Sequence, residues 1–450
     1  MSGAGACTPL RVGIIGGGIS GLASAWLLAK AGHSPVIFEA SGDLGGLGGH
    51  FEHDGHTLEK FYHVLLPGDS ELLSLIDELG LSGRLVWRHT GMGFYQGGSL
   101  YPLNTAADVL RFGALPVPAR LRLAAGAAYL ATFATGGEEL DRISAAAWLR
   151  RIFGETVFRC VWHPLLRAKF GDLCDAVPAY WFWSRLRREK NGAREIKGYI
   201  HGGYGTLTEA LRSRIVARGG EIRLHSPVAS VEQRGGQVRI VTGKGTERLD
   251  AAISTLPLPL FRKAARGGLS ARMALPDLPY QGIVNVVLVS RKPVLEHYWT
   301  AVVDRGFPFQ GIVESTKVVP LEQTGGRHLI YVMNYCHPAS AIFNVPDEEL
   351  GRAAFAGLAR LCPRFDPGAV EAAYVFRAPY VEPVWPLGYL AKRPAPRVAD
   401  TKVYLATTAQ AYPRVNAWNT SVGIARECVS ALLSDLAVRQ PGAQRVSAVA

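Results

Sequence analysis

Apolar and polar positions divide the chain into recognisable pieces. Residues 11–15 are a short apolar run ending in Gly16, which predicts a buried strand. Residues 20–31, rich in Ala and Leu and stopping at Gly32, predict a helix with a glycine just past its end. Residues 35–39 predict a second strand, completing a βαβ unit. In residues 67–81, Leu72, Leu73, Leu75, Ile76 and Leu79 fall on one helical face. Residues 87–102 predict a hairpin about the turn cluster Gln96-Gly97-Gly98-Ser99. Residues 104–192 are largely helical, with breaks at Pro116 and Pro118. After Gly202-Gly203, an amphipathic helix over 207–218 precedes short strands at 221–224, 228–232, 238–242 and 251–254. Strands dominate 282–377, notably 283–289 and 328–335, and the chain closes with a strand at 403–406 and a helix at 420–433.

One motif carries specific chemistry. Gly16-Gly17-Gly18-Ile19-Ser20-Gly21 fits G-x-G-x-x-G, follows a strand, opens a helix, and precedes Glu39 at the end of the second strand. Gly16 permits a tight turn, Gly18 admits a pyrophosphate to the backbone, and Gly21 lets helix and strand pack closely. The helix N-terminus favours the phosphates, and Glu39 can accept from a ribose diol while repelling a 2′-phosphate. A second glycine cluster, Gly45-Gly46 and Gly48-Gly49, follows six residues after Glu39 and lets a loop pass beside a long cofactor.

These residues resemble the superfamily of FAD-dependent amine oxidases, protoporphyrinogen oxidases and phytoene desaturases. The resemblance continues through Leu44-Gly45-Gly46, Gly202-Gly203-Tyr204-Gly205-Thr206-Leu207, Ser226-Pro227-Val228, Ile253-Ser254-Thr255-Leu256-Pro257 and residues 403–425. It implies an α/β fold: a discontinuous Rossmann-like FAD-binding domain (10–85, 199–265 and 396–438) with an α+β substrate domain, helical over 86–198 and β-rich over 266–395. It also implies FAD as cofactor. Gly16, Gly18, Ile19, Ser20 and Gly21 would serve the pyrophosphate, Glu39 and Ala40 the adenosine ribose, and Gly45 and Gly46 the flavin-side loop. Val228 would touch adenine through its backbone, and the segment from Thr408 to Tyr412 would close over the ribityl chain. The sequence departs from the superfamily pattern at two places: Leu44 and Leu47 stand where arginines usually flank the Gly-Gly loop, and Ala406-Thr407-Thr408-Ala409-Gln410 lacks the usual acid.

The activity implied is hydride transfer from an organic substrate to flavin, in which the protein mainly orients the substrate. Leu58-Glu59-Lys60-Phe61-Tyr62-His63 is similar to a His-bearing segment of UDP-galactopyranose mutase, so a redox-neutral isomerase is the alternative, with a non-catalytic flavin-binding protein as a third reading. His63 and Lys169 are the candidate catalytic groups, weighed against a structural histidine and a snorkelling lysine. Lys169 lies in an aromatic and basic stretch, 162–171, followed by Trp181 and Trp183, which would suit a flat or prenyl-like anionic substrate. Glu59 and Lys60 read as an ordinary surface pair.

Composition adds bounds. With 450 residues, 48% hydrophobic, the chain can bury a sizeable core. Cys7, Cys160, Cys174, Cys336, Cys362 and Cys428 show no C-x-x-C and no zinc spacing, so they predict reduced, cytosolic thiols and no metal. The polar stretch before Leu10 does not read as a signal peptide, and the apolar stretch 123–137 falls short of the roughly 20 residues of a spanning helix. The net charge of +12 suits an anionic substrate or membrane surface, and no nucleic-acid module accompanies it. Six basic residues, Arg185, Arg187, Arg188, Lys190, Arg194 and Lys197, form either a solvated helix face or a membrane-docking run. Residues 121–133, edged by Arg120 and Arg122, would add a monotopic contact, giving a cytoplasmic protein peripheral on the inner face of a membrane.

Overall fold

A computed structural model describes residues 8–132, 136–189 and 195–438. Cys7, Phe133, Lys190 and Arg194 lie outside the described residues. The N-terminal strand Arg11–Ile15 is central in a five-stranded parallel sheet. Its order is Val403–Leu405, Ala251–Ser254, Arg11–Ile15, Ser34–Phe38, Glu221–Arg223. Register runs Ile14↔Ile37 on one side and Ile14↔Ile253 on the other. Both faces are covered, so the three inner strands are near-continuous apolar runs rather than alternating ones. One face packs against helices Ile19–Lys30, Gly203–Ala217 and Trp418–Val438. The other carries the three-stranded antiparallel sheet Val228–Arg234, Gln237–Thr242, Gly245–Leu249. That second layer approaches so closely that a Cβ on Gly13 would sit 2.5 Å from Leu249 Cδ1. The sheet therefore draws its strands from the beginning, middle and end of the chain: a discontinuous Rossmann-like domain.

The second layer system is a seven-stranded mixed sheet. Its order is Val370–Pro383, Tyr280–Ser290, His328–Cys336, Gly311–Glu314, Trp299–Val302, Met92–Gln96, Ser99–Pro102. Tyr280–Ser290 is buried on both faces. Its even positions, Val284, Val286 and Leu288, pack under helix Asp347–Leu361; its odd positions, Ile283, Val287 and Val289, join the main core. The helical block packs Phe153, Phe158, Trp181 and their neighbours into that same core.

Three sequence expectations change here. The hairpin begins at Met92, because Leu85–His89, which includes Trp87, pairs instead with Ile196–Ile200. The strand-rich region contains the 15-residue helix Asp347–Leu361, whose apolar stripe of Leu350, Ala354, Leu358 and Leu361 covers the outer face of the large sheet. Gly245–Leu249 is a strand whose glycine and charged residues give no strand signal. The five described cysteines are free; Cys174 and Cys428 are buried, and Cys160, Cys336 and Cys362 are partly so.

Candidate active site

The fingerprint glycines occupy the turn between the first strand and its helix. Gly16 has φ +107°, and a Cβ there would lie 2.4 Å from Thr255 Oγ1. At Gly21 a Cβ would lie 2.0 Å from the Gly16 carbonyl oxygen, so helix and strand could not approach. Gly18 differs: its φ is −71°, and the nearest neighbour of a Cβ would be Gly46 Cα at 3.9 Å. Protein packing thus explains Gly16 and Gly21 but not Gly18, whose open side is what an approaching phosphate needs. No side chain caps the helix that Ile19 and Ser20 open, which leaves that duty to a ligand or solvent.

The second glycine cluster lies directly on this turn. Gly45 N–H donates to the Gly17 carbonyl at 2.9 Å, and Gly45 bridges Gly18 in parallel sense. Gly45 and Gly46 have φ of +106° and +60°, the left-handed region that favours glycine. Leu44, in the place of a superfamily arginine, is buried against Gly17 and closes the turn with apolar surface.

Glu39 follows directly on strand Ser34–Phe38. Its Oε2 accepts from Gly17 N–H at 2.6 Å and its Oε1 from the Ser41 N–H and hydroxyl at 2.8 Å each. Ala40 beside it is exposed. Ser226 N–H donates to the Glu39 carbonyl at 2.8 Å, which places the Ser226-Pro227-Val228 segment alongside. The late segment is held over the same helix: Ser20 Oγ donates to the Ala406 carbonyl at 2.7 Å, and Thr407 with Gln410 forms a reciprocal capping box. Thr408 is half-buried and faces the hydroxyl of Tyr280. Tyr412 is fully buried, and its hydroxyl donates to Asp141 Oδ1 at 2.5 Å, tying this segment to the helical block.

His63 is brought to the Gly-Gly loop through Trp418. Its ring lies 5.8 Å from Trp418 and 5.3 Å from Tyr204, while Trp418 fills the space that a Cβ on Gly48 would take. Burial lowers the His63 pKa to about 4, so the imidazole is neutral; Nδ1 lies 2.9 Å from the Phe61 carbonyl, which assigns Nδ1 as the donor and leaves Nε2 an acceptor.

Glu59 is not a surface residue. It is 4% exposed, accepts from Tyr204 N–H at 3.0 Å, and so caps the N-terminus of helix Gly203–Ala217. Burial pushes its pKa up to about 7 against the pull of the Tyr204 and Tyr199 hydrogen bonds. Lys169 is not a free cation: its Nζ lies 2.8 Å from Glu382 Oε2 and 5.3–5.5 Å from the rings of Tyr335 and Trp181. In the basic run, Arg188 donates twice to buried Asp69, at 3.1 and 2.9 Å, and buried Lys197 pairs with Glu195. Those two residues therefore belong to internal ion pairs rather than to a solvated or membrane-facing stripe. His163, Cys174 and Asp175 place one ligand-type atom each within 4.8 Å of one another, a grouping invisible at their sequence spacing.

Tyr280, Trp418, Glu382 and two buried strand residues, Gln281 and Asn285, whose Nδ2 donates to the Lys60 carbonyl at 2.9 Å, are not among the residues that the sequence singles out. The available signal was polarity out of place: Gln281 and Asn285 interrupt an otherwise apolar strand.

Comparison with known proteins agrees with this geometry. The family of flavin-containing amine oxidoreductases matches residues 19–417. The 15-cis-phytoene desaturase of Synechococcus elongatus is 28% identical over 343 residues, 64% of this chain and 70% of that one. Matches to the desaturases of Capsicum annuum and Solanum lycopersicum span about half of those chains, 47%. A candidate protoporphyrinogen oxidase from Exiguobacterium sp. 255-15 superposes over 96% of this chain and 100% of its own, with TM-score 0.75 and 20% identity. Reduced UDP-galactopyranose mutase superposes over 94% and 96%, with TM-score 0.73 and 16% identity, a likeness of fold alone. The family match favours the oxidoreductases over the isomerase and the non-catalytic reading. The chain belongs to the flavin-containing amine oxidoreductase family and is an FAD-dependent oxidoreductase.

Proposed function

We propose that FAD lies along Gly16–Gly21, with its pyrophosphate at Gly18, Ile19 and Ser20, its adenosine at Glu39, Ala40 and Val228, and its flavin end beneath Gly45, Gly46 and the segment carrying Thr408 and Tyr412. The observation that carries this reading is Gly18, a fingerprint glycine that no protein contact requires. The proposed domain boundaries are 10–85, 199–265 and 396–438 for the nucleotide part, with 86–198 and 266–395 for the substrate part. FAD held by these residues would supply two-electron redox chemistry toward an organic substrate. The protein's own residues orient that substrate and exclude water. Neutral His63 offers Nε2 as an acceptor near the flavin end, and Lys169 with Glu382 forms the polar wall of the substrate side.

The substrate is a small molecule with a substantial apolar part. The aromatic rings of Tyr62, Tyr335, Phe376 and Trp181, and the similarity to 15-cis-phytoene desaturase, support a lipid-like body. An anionic group is less well supported, because Glu382 neutralises Lys169.

Access from a membrane surface belongs to the same reading. Among the described residues no helix is long and apolar enough to cross a membrane. Helix Val117–Thr132 nevertheless exposes Val117, Leu121 and Tyr129, beside exposed Leu110, and its charged residues are Arg120 and Arg122 with no acid. Such a face suits peripheral docking on anionic lipid at the inner face of a membrane.

The purified protein is expected to be yellow with about one flavin per chain. Anaerobic mixing with a substrate should bleach it without added reductant. A colourless protein that takes up no FAD, or a flavin that turns over substrate only after prior reduction and with no net redox change, would overturn the reading.

A further inference from the structure

The helical block gathers three groups of metal-ligand type that the rest of the fold leaves unused. Helix Ala145–Val157 runs into a π-helical turn, Phe158–Trp162, before helix His163–Phe170 begins. Such a wide turn resets the face that the following residues occupy, and π-turns within helices concentrate at functional sites. After Phe170 the chain turns at Gly171, φ +56°, into the short 3₁₀ helix Gly171–Ala176. Cys174 and Asp175 then meet His163: a ring nitrogen, the sulfur and a carboxylate oxygen all lie within 4.8 Å of one another. Cys174 is 4% exposed and forms no disulfide. Among the described residues, neither the His163 ring nor the Asp175 carboxylate has a side-chain hydrogen bond or an ion pair. Arg167, on the same helix, turns to Asp172 at 3.6 Å rather than to Asp175.

The chemistry of the set selects its ligand. Calcium and magnesium take oxygen donors, whereas an imidazole, a thiolate and one carboxylate suit zinc. Bonds of about 2.0–2.3 Å set tetrahedral ligand atoms about 3.3–3.8 Å apart around zinc, so a small turn of the exposed Asp175 side chain brings the three into range. Burial, and then the Asp175 carboxylate, raise the pKa of the Cys174 thiol. A divalent ion reverses that balance: the sulfur binds as thiolate, its proton passes to solvent, and thiolate and carboxylate together neutralise the ion.

We propose that His163, Cys174 and Asp175 bind one zinc ion, with water in the fourth position. The ion ties the 3₁₀ helix to the start of the helix that carries Lys169 in its last turn. This site stands independently of the FAD reading.

The test uses the tag-free, flavin-loaded protein, stripped of metal by a chelator, with cobalt and zinc ions as probes. Cobalt should bind at about one ion per chain, absorb to the red of the flavin bands with the intensity of a tetrahedral site, and be displaced by zinc. Zinc should raise Tm. Cys174→Ser and His163→Gln should each weaken binding by at least about tenfold and remove the effect of zinc on Tm. Asp175→Asn changes an exposed residue and should weaken binding by about tenfold, which keeps the test open if the buried variant misfolds. Flavin content should be the same in all of them. No bound cobalt, the pale spectrum of an octahedral ion, or binding and Tm shifts that the substitutions leave unchanged would overturn the zinc site with the FAD assignment intact. Colourless protein that still binds cobalt in this way would overturn the FAD assignment and leave the zinc site standing.

Discussion

Gly16, Gly18 and Gly21 are glycines for different reasons, and substitution should separate them. A side chain at Gly21 collides with backbone, so Gly21→Ala should destabilise the fold by about 1–3 kcal/mol, seen as a lower Tm even in flavin-free protein. A Cβ at Gly18 meets no protein atom closer than 3.9 Å, so Gly18→Asp should fold normally, yet place a carboxylate against the pyrophosphate and abolish flavin retention. Stoichiometric flavin in folded Gly18→Asp protein would remove the site assignment. Glu59 offers a pH signature at the same scale. Its pKa is raised from 4.5 to about 7, so between those values the folded state holds a proton that the unfolded state has released. Stability is therefore lost as pH rises from about 4.5 to 7 and is flat beyond. Glu59→Gln keeps an acceptor for Tyr204 N–H without the charge. Its stability should match wild type near pH 4 and exceed it above pH 7, by at most on the order of 3 kcal/mol. Parallel pH–stability curves for the two proteins would show that burial does not govern this carboxyl.

At the scale of elements, the late segment is the weakest part of the proposed cofactor cradle by sequence and among the best tied by structure. It lacks an acid, but Thr407 donates to the Leu256 carbonyl at 2.9 Å and caps the turn that carries Thr408. Thr407→Val should cost about 1 kcal/mol in stability and loosen flavin, measured as a lower Tm together with faster flavin release on dilution. Unchanged flavin release would mean the segment's position does not depend on that cap. The elements nearest to this one were the more legible in sequence: the βαβ unit was evident because its strand, turn and helix are consecutive and each obeys a local rule. Helix Asp347–Leu361 was obscured because it sits between strands and its apolar stripe is short. Residues 87–89 read as the start of the neighbouring hairpin because a strand's partner is not written in its own residues.

For the whole molecule, the arrangement of charge changes meaning once folded. The net charge of +12 invited a docking role for the basic run at 185–197, yet Arg188 and Lys197 are spent on internal pairs. The exposed apolar face lies instead on helix Val117–Thr132, where Arg120 and Arg122 bond to backbone carbonyls at its edge. Leu121→Asp combined with Val117→Asp should reduce sedimentation with anionic vesicles by roughly tenfold and leave flavin content unaltered. Equal sedimentation of variant and wild type would remove the membrane reading. By itself the sequence determined the dinucleotide fold and pointed to FAD, because Gly16–Gly21, Glu39 and Gly45–Gly46 are close in the chain and their spacing alone constrains the backbone. Only the tertiary structure decided the state of Lys169, Glu59, Tyr412 and Arg188. Their partners Glu382, Tyr204, Asp141 and Asp69 are more than a hundred residues away, and a side chain's charge, exposure and free hydrogen-bonding capacity follow from the neighbour it meets.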